Sequence, residues 1–192
     1  MRGCRESGVG GGVVYRLFVA VDLSAEVKEA ILALRTPLPG AKWVAMDQLH
    51  VTLRFIGEAD EVLFNKIRDT LAGIIVPSFF LTLRGVGYFP PKRDPRVLWV
   101  GIERNENLLV LRNLVEKALF ACGLGPEGRS FSPHITIARL KDASKAVISP
   151  FLQKNALFAT PSFPVEEFFL YSSTLAQSGA THRQEALYPL RK

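Results

Sequence analysis

Cysteine is scarce in this chain of 192 residues, which contains only Cys4 and Cys122. Two cysteines do not provide the disulfide framework that stabilises many small secreted proteins. Cys4 also lies in a glycine-rich segment without hydrophobic periodicity. We therefore expect both thiols to be free and the protein to work in a reducing, cytoplasmic setting.

Long hydrophobic runs are also missing. A membrane helix needs about 18 consecutive apolar residues, whereas the apolar stretch VVYRLFVAV is interrupted by Arg16 and followed by Asp22. The same interruption argues against a signal peptide, which needs an unbroken apolar segment and a cleavage site. The stretch is typical of a buried strand.

Histidine is rare, and the three histidines lack the spacing of metal ligands. The chain has no H-x-x-x-H, no H-x-H, and no cysteine or carboxylate at ligand spacing from a histidine. We therefore expect no metal and no other cofactor, and we interpret His182 as a surface residue. A phosphate-binding glycine loop is missing too, because GVGGG near the N-terminus lacks the following Lys-Ser/Thr.

Positive charge is in excess, with a formal net charge of +6. A basic balance favours anionic partners, with nucleic acid first among them. The alternative is that the chain is mildly basic for no reason related to a ligand. Like charges form no blocks, and no aromatic signature of an RRM domain is present. Hydrophobic residues make up 48% of the chain, which is enough for a sizeable core.

Strand and helix patterns alternate along most of the chain. Residues 1–13 are rich in glycine and predict a flexible extension, and residues 14–192 predict one folded unit. The predicted order is strand, helix, strand, helix, strand, strand, helix, strand, helix, strand, strand. In this order FFLTLRGVGYF is one strand, and a helix over 142–154 is weakened by Pro150. Hairpins at PPKRDPR and AQSGAT favour antiparallel pairing, and therefore an α+β fold.

Two of the strand patterns begin with histidine, namely HVTLRFIG and HITIARLK. Alternate side chains of a strand point to opposite faces. Each strand therefore buries aliphatic residues and displays one histidine–threonine pair: His50 with Thr52, and His134 with Thr136. A single His-x-Thr in a strand is usually structural, but two in matching contexts predict a shared site. We expect one compact bilobal unit with both pairs along one groove.

Two imidazoles and two hydroxyls suit the cleavage of a phosphodiester without a metal. An unperturbed imidazole has a pKa near ~6.5, so one histidine can take a proton from water while the other protonates the leaving oxygen. The threonine hydroxyls can donate hydrogen bonds to the non-bridging oxygens. By parity Arg54 shares this face, as either a functional or a solvated rim charge. Phe18 and Tyr171 either stack on a base or pack in the core.

These motifs resemble those of the 2H phosphoesterase superfamily, and specifically of RNA 2',3'-cyclic phosphodiesterases, also called 2'-5' RNA ligases. The similar blocks are RLFVAVDL, KWVAMDQLHVTLRFIGE, FSPHITIAR, FFLYSSTL and ALYPL, which lie between Tyr15 and Leu190. The family usually has Arg-Trp-Val where this chain has Lys42-Trp-Val, which keeps the charge but loses the guanidinium fork. Ile137 replaces leucine at the end of the second motif. The resemblance implies a bilobal fold with two similar antiparallel lobes, helices outside and a catalytic groove between them.

The resemblance also implies the reaction and the site residues. It implies metal-independent hydrolysis of RNA 2',3'-cyclic phosphate ends to 2'-phosphomonoesters, with His50 as proton donor and His134 as proton acceptor. Thr52 and Thr136 would hold the phosphate and Arg139 would contact it, although alternation places Arg139 on the opposite face unless a bulge, a strand end or its long side chain brings it back.

Other partners and activities stay open from the sequence. Small cyclic nucleotides are alternative substrates to RNA ends or tRNA fragments, and 2'-5' ligation of cleaved tRNA halves is an alternative reaction. A non-catalytic RNA- or nucleotide-binding module is a third alternative. We expect a monomer without membrane association.

Overall fold

The computed structural model describes residues 14–91, 93–128, 130–176 and 179–191. The predicted flexible extension, residues 1–13, lies outside these ranges. The strands in the described ranges are β1 Tyr15–Asp22, β2 Ala41–Trp43, β3 His50–Ala59, β4 Phe79–Leu81, β5 Leu83–Phe89, β6 Val97–Ile102, β7 His134–Leu140, β8 Phe163–Val165, β9 Glu167–Ala176 and β10 Gly179–Pro189. The helices are α1 Ala25–Leu32, α2 Glu61–Leu71, α3 Glu106–Ala121 and α4 Lys145–Lys154.

The described strands form two four-stranded sheets and one two-stranded sheet. The order is β10-β9-β1-β3 in the first sheet and β2-β7-β6-β5 in the second, and β4 pairs with β8. Every pairing between these strands is antiparallel. The α+β prediction is therefore confirmed, and the predicted hairpins correspond to β5–β6 and β9–β10.

The strands depart from the sequence prediction at two places. The run predicted as one strand, FFLTLRGVGYF, divides at Thr82 into β4 and β5, because β4 pairs with β8 while β5 pairs with β6. The Thr82 and Ser162 hydroxyls are hydrogen-bonded at 2.8 Å where the two sheets separate. Strand β8 was not predicted. The weak helix is present as α4 with Pro150 inside it, and burial of Ile148 and Phe151 compensates for the lost backbone hydrogen bond.

Local capping explains where the first three helices begin. Side-chain oxygens of Ser24, Asp60 and Asn105 accept hydrogen bonds from backbone N–H groups in the first turns of α1, α2 and α3, respectively. Such caps satisfy donors that have no partner within the helix. None of the helices in the described ranges is both long and apolar enough to cross a membrane.

One cluster of buried side chains draws on both large sheets and on the helices. It includes Leu17, Val19 and Val21 on one face of β1, and each of these is at most 1% exposed. Phe18, Ala20 and Asp22 alternate with them and are outside this cluster. The first sheet therefore has a core face and a second face, which we call the histidine face because it carries His50.

Candidate active site

His50 and His134 occupy matching positions, each as the first residue of its strand. His50 begins β3 and lies opposite Asp22 on β1, and His134 begins β7 and lies opposite Gly101 on β6. Strands β3 and β7 belong to different sheets but approach each other, with Cα atoms within 8 Å. The fold therefore brings the two histidine-bearing strands side by side.

Both imidazoles are oriented by the same backbone contact. Nδ1 of His50 lies 2.8 Å from the carbonyl oxygen of Gln48, and Nδ1 of His134 lies 2.7 Å from that of Ser132. A carbonyl oxygen can only accept a hydrogen bond, so Nδ1 carries the proton in each case. Nε2 of each ring is consequently the nitrogen left to exchange a proton with a ligand.

The two predicted threonines lie on the same faces as the histidines. Thr52 is opposite Ala20 on β1, Thr136 is opposite Trp99 on β6, and both are half-buried. Within the described part of the chain, neither hydroxyl has a hydrogen-bond partner. Both hydroxyls are therefore available to an oxygen-rich ligand beside the imidazoles.

A bulge interrupts both strands at the third residue after the histidine. In β3, Thr52 and Arg54 face successive residues of β1, so Leu53 is the extra residue, and in β7 the extra residue is Ile137. A bulge reverses the alternation of the side chains that follow it. The two residues directly after each bulge therefore point to the face opposite to the one that simple parity predicts.

The bulge in β7 explains how Arg139 comes to lie on the face of the second sheet that carries His134. Ala138 is buried and Arg139 is exposed, which is the reverse of the order expected from regular alternation. Arg139 lies opposite Lys42 on β2, and in the described residues its guanidinium has no ion-pair partner. Of the three ways in which Arg139 could return to this face, the structure has the bulge, and its contact with a phosphate stays a prediction.

The bulge in β3 makes the parity assignment of Arg54 wrong. Arg54 is only 9% exposed and points away from the histidine face toward α3. Its Nε lies 3.1 Å from Glu116 Oε1, without hydrogen-bond alignment, and its Nη2 donates to the carbonyl oxygen of Gly125 at 2.6 Å. Arg54 is therefore a buried residue with a structural role. The exposed position on the histidine face is occupied by Phe55.

Aromatic rings surround His50. Phe18 stacks on the imidazole with ring centroids 4.9 Å apart, and the ring of Tyr171 lies 5.2 Å from that of Phe18 and 6.3 Å from that of His50. Phe18 is 3% exposed, so its role in the protein is packing beneath the site. Burial and, to a smaller extent, the nearby charge of His182 together lower the pKa of His50 to about 4.

His182 is part of this cluster, so its interpretation as a surface residue is wrong. Its ring crosses that of His50 edge-on, with centroids 5.2 Å apart, and it is half-buried. Burial lowers the pKa of His182, Asp47 opposes this shift, and the positive charge of Arg139 adds to it. Arg139 of the second sheet therefore lies within electrostatic reach of a residue of the first sheet.

The second sheet supports His134 with two aromatic rings that the sequence analysis did not single out. Phe89 meets His134 edge-on at 4.9 Å, and Trp99 lies 5.5 Å from Phe89. Gly87 makes room for the indole, since a Cβ there would lie 2.2 Å from a Trp99 ring atom. The strong strand pattern around Phe89 gave no signal for this role.

The described residues contain no cluster of metal-ligating side chains. No group of three or more His, Cys, Asp or Glu side chains in the described ranges is placed to hold a metal ion. Cys122 is a free, buried thiol whose Sγ lies 3.4 Å from the Thr70 hydroxyl. Cys4 lies outside the described ranges.

Two antiparallel sheets, each with a histidine and a threonine at the start of a strand that packs beside its counterpart, define the arrangement expected of a 2H phosphoesterase fold. Comparison with known proteins agrees with this class. The family described as the 2'-5' RNA ligase superfamily matches residues 22–176. The chain therefore belongs to the 2'-5' RNA ligase superfamily, as the sequence motifs predict.

Relatives and solved structures of this family cover almost the whole chain. The RNA 2',3'-cyclic phosphodiesterase of Thermotoga maritima is 36% identical over 88% of this chain and 91% of its own length. The enzyme of the same name from Escherichia coli is 38% identical over 84% of this chain and 89% of its own. The crystal structure of E. coli LigT complexed with 3'-AMP has a TM-score of 0.78 at 31% identity, covering 94% of this chain and 100% of that one.

Proposed function

We propose that this chain hydrolyses the 2',3'-cyclic phosphate at the end of an RNA to a 2'-phosphomonoester. The observation that carries the proposal is the pair of imidazoles held alike by backbone carbonyls, each beside a threonine whose hydroxyl is available. The names of the relatives and the 3'-AMP complex of LigT support a substrate of this class. The net charge of +6 suits an anionic polymer.

The proposed reaction is one displacement at phosphorus with two proton transfers. Nε2 of His134 takes a proton from water while the water oxygen forms a bond to phosphorus. The bond between phosphorus and the 3' oxygen breaks, and that oxygen takes the proton from Nε2 of His50. Each histidine thus ends in the protonation state in which the other began, and exchange with solvent restores both.

The remaining site residues stabilise charge on the phosphate. The hydroxyls of Thr52 and Thr136 donate hydrogen bonds to non-bridging oxygens, where negative charge grows in the transition state. Arg139 supplies a fixed positive charge from the second sheet, because a guanidinium stays protonated at all relevant pH. The exposed ring of Phe55 on the same face offers a surface on which a base can stack.

The protonation of His50 requires the substrate. With a pKa near 4, His50 is neutral at pH 7 in the free protein, whereas a proton donor must be charged. A negative phosphate within about 4–6 Å favours the charged imidazole and raises its pKa. Substrate binding therefore has to charge His50 before the 3' oxygen leaves.

The test is turnover of an RNA oligonucleotide that ends in a 2',3'-cyclic phosphate, in the presence of EDTA, with the product isomer identified by phosphorus NMR. We expect a 2'-phosphate product and a loss of about 10²- to 10⁴-fold in kcat for His50→Ala and for His134→Ala. Circular dichroism of each variant checks that it is folded. No conversion by the unaltered protein, or full activity in either variant, would refute the proposal, and binding without turnover would favour the binding module.

Ligation is a second candidate, favoured by the description of the family that matches. A 5'-hydroxyl of a second RNA can replace water as the nucleophile in the same displacement, which yields a 2'-5' phosphodiester. Adding an excess of 5'-hydroxyl RNA to the same assay measures the ratio of ligated to hydrolysed product. Formation of a 2'-5' linked product that disappears in His134→Ala would establish this activity.

A further inference from the structure

His182 has the closest ring contact with His50 apart from the Phe18 stack. Its centroid lies 5.2 Å from that of His50 and 4.9 Å from that of Phe18, at interplanar angles of 72° and 68°. His182 lies opposite Ser173 in the β9–β10 ladder, so its backbone position is fixed by the first sheet. The ring that crosses His50 is therefore held on a regular strand.

The strand that carries His182 also holds the group that orients His50. The side-chain amide of Gln48 donates a hydrogen bond to the carbonyl oxygen of Ala180, two residues before His182. The carbonyl oxygen of Gln48 in turn accepts from Nδ1 of His50. Strand β10 therefore contacts His50 in two ways: indirectly through Gln48, and directly through the ring of His182.

The second sheet has the same geometry with a different kind of ring. Phe89 meets His134 edge-on with centroids 4.9 Å apart and an interplanar angle of 78°. In both sheets the histidine at the strand start has an edge-on ring and an oriented Nδ1. Of these two edge-on rings, His182 can take up a proton and Phe89 cannot. The surroundings of His50 and His134 therefore differ in charge.

We propose that His182 is a positioning residue that holds the His50 ring edge-on and, through its own charge, sets how readily His50 takes up a proton. The kinetic part of this inference rests on the proposed function, but the effect on His50 itself does not. When His182 is neutral it acts by packing alone. When His182 is protonated, two like charges lie about 5 Å apart, and the charged form of His50 is disfavoured.

Other charged groups face these two rings and stay the same when His182 is changed. They come from four elements: Asp22 on β1, Lys28 on α1, Asp47 before β3 and Arg139 on β7. Asp22 and Asp47 favour protonation of the ring that each faces, and Lys28 and Arg139 oppose it. Lys28 Nζ lies 2.7 Å from Asp22 Oδ1, so these two charges largely offset each other. Replacing His182 therefore isolates one positive charge.

NMR titration tests the inference without any substrate. The chain has three histidines, so the ring signals of His50, His134 and His182 can be assigned with single variants. In His182→Phe, which keeps an edge-on ring like that of Phe89, we expect the protonation midpoint of His50 to move to higher pH. Arg183→Gln removes a charge from the neighbouring, 83% exposed side chain of β10 and should leave it unchanged. An unmoved or lowered midpoint in His182→Phe would overturn the inference.

Kinetics separates the packing role from the charge role. His182→Ala should lower kcat at every pH, and His182→Phe should restore it at pH 8. The ratio of kcat/KM for His182→Phe to that of the unaltered protein should rise by about three- to tenfold between pH 8 and pH 5, since one pKa unit is a tenfold change in protonated fraction. A ratio that is constant with pH, or an unchanged kcat in His182→Ala, would contradict the inference. An inactive unaltered protein would refute the proposed function alone, and the NMR titration would still decide the role of His182.

Discussion

Replacing Arg54 with methionine tests whether the bulge in β3 turns this side chain into the protein interior. Two carboxylates surround the guanidinium, Glu116 Oε1 at 3.1 Å and Glu127 Oε2 at 3.5 Å. Methionine fills most of the same space without a charge. The carboxylates would then keep only Arg112, which lies 3.1 Å from the first and 4.0 Å from the second.

The magnitude follows from this incomplete replacement. Removing one partner of a buried ion pair costs about 3–5 kcal/mol of the free energy of unfolding. Because Arg112 remains and the carboxylate side chains are 17% and 22% exposed, we expect a smaller loss for Arg54→Met of about 2–3 kcal/mol. In a protein of this size 1 kcal/mol corresponds to about 2–4 °C in Tm, so Tm should fall by roughly 5–10 °C.

Thermal and urea unfolding followed by circular dichroism measure the loss, and a double-mutant cycle with Glu116→Gln measures the coupling between the two charges. Activity is measured at a temperature where Arg54→Met remains folded, and kcat/KM should stay within about threefold of the unaltered value. Phe55→Ala, on the other face of the same strand, should show the opposite pattern of retained stability and raised KM. Retained stability with lost activity in Arg54→Met would mean that this side chain faces the substrate and that the bulge assignment is wrong.

Three further predictions concern the site and its support. Thr52→Ala and Thr136→Ala should each lower kcat/KM by about 10- to 100-fold, whereas Thr70→Ala on α2 should not; equal effects in all three would contradict the role of the paired hydroxyls. Gly87→Ala should displace the indole in contact with it, lowering stability by about 1–3 kcal/mol and changing tryptophan fluorescence; no change in either measurement would refute this packing. Because the pKa of His50 is about 4 when folded and about 6.5 when unfolded, the unfolded chain binds more protons between these values. The free energy of unfolding should therefore fall by up to about 3 kcal/mol as the pH drops from 6.5 toward 4, because of His50. Denaturant unfolding of His50→Gln should show a smaller fall over the same pH range.

Strand alternation was sufficient to predict which residues share a face with each histidine, but only up to the bulge. Thr52 and Thr136 are two residues from their histidines and lie where period two places them. The extra residues of the bulges, Leu53 and Ile137, are residue types that are common in regular strands. Their side chains therefore give no sign of a bulge in the sequence. The parity placement of Arg54 was therefore wrong for the same physical reason that Arg139 is exposed.

Tertiary pairing accounts for the other differences. The break at Thr82 occurs because one continuous apolar run contributes to two sheets, which a local pattern cannot show. His182 was misassigned because its neighbours on β10 are polar, whereas its ring lies against Phe18 of a strand distant in sequence. Contacts of this kind depend on which strand lies beside which, and the sequence of either strand alone does not contain that information.

The two four-stranded sheets repeat one local unit, and the differences between them arise outside it. In each unit a histidine at the strand start bonds to a carbonyl two residues earlier, a threonine follows on the same face, and a bulge then buries the fourth residue after the histidine and exposes the fifth. In the proposed reaction, two matching units on either side of a phosphate cannot by themselves determine which histidine gives a proton and which takes it. In the proposed reaction that difference has to come from surrounding groups, which include Phe55 against Arg139 at the fifth position and His182 against Phe89 at the ring edge. Exchanging these flanking groups, with both histidine–threonine pairs intact, should therefore change the pH dependence of the reaction more than its geometry.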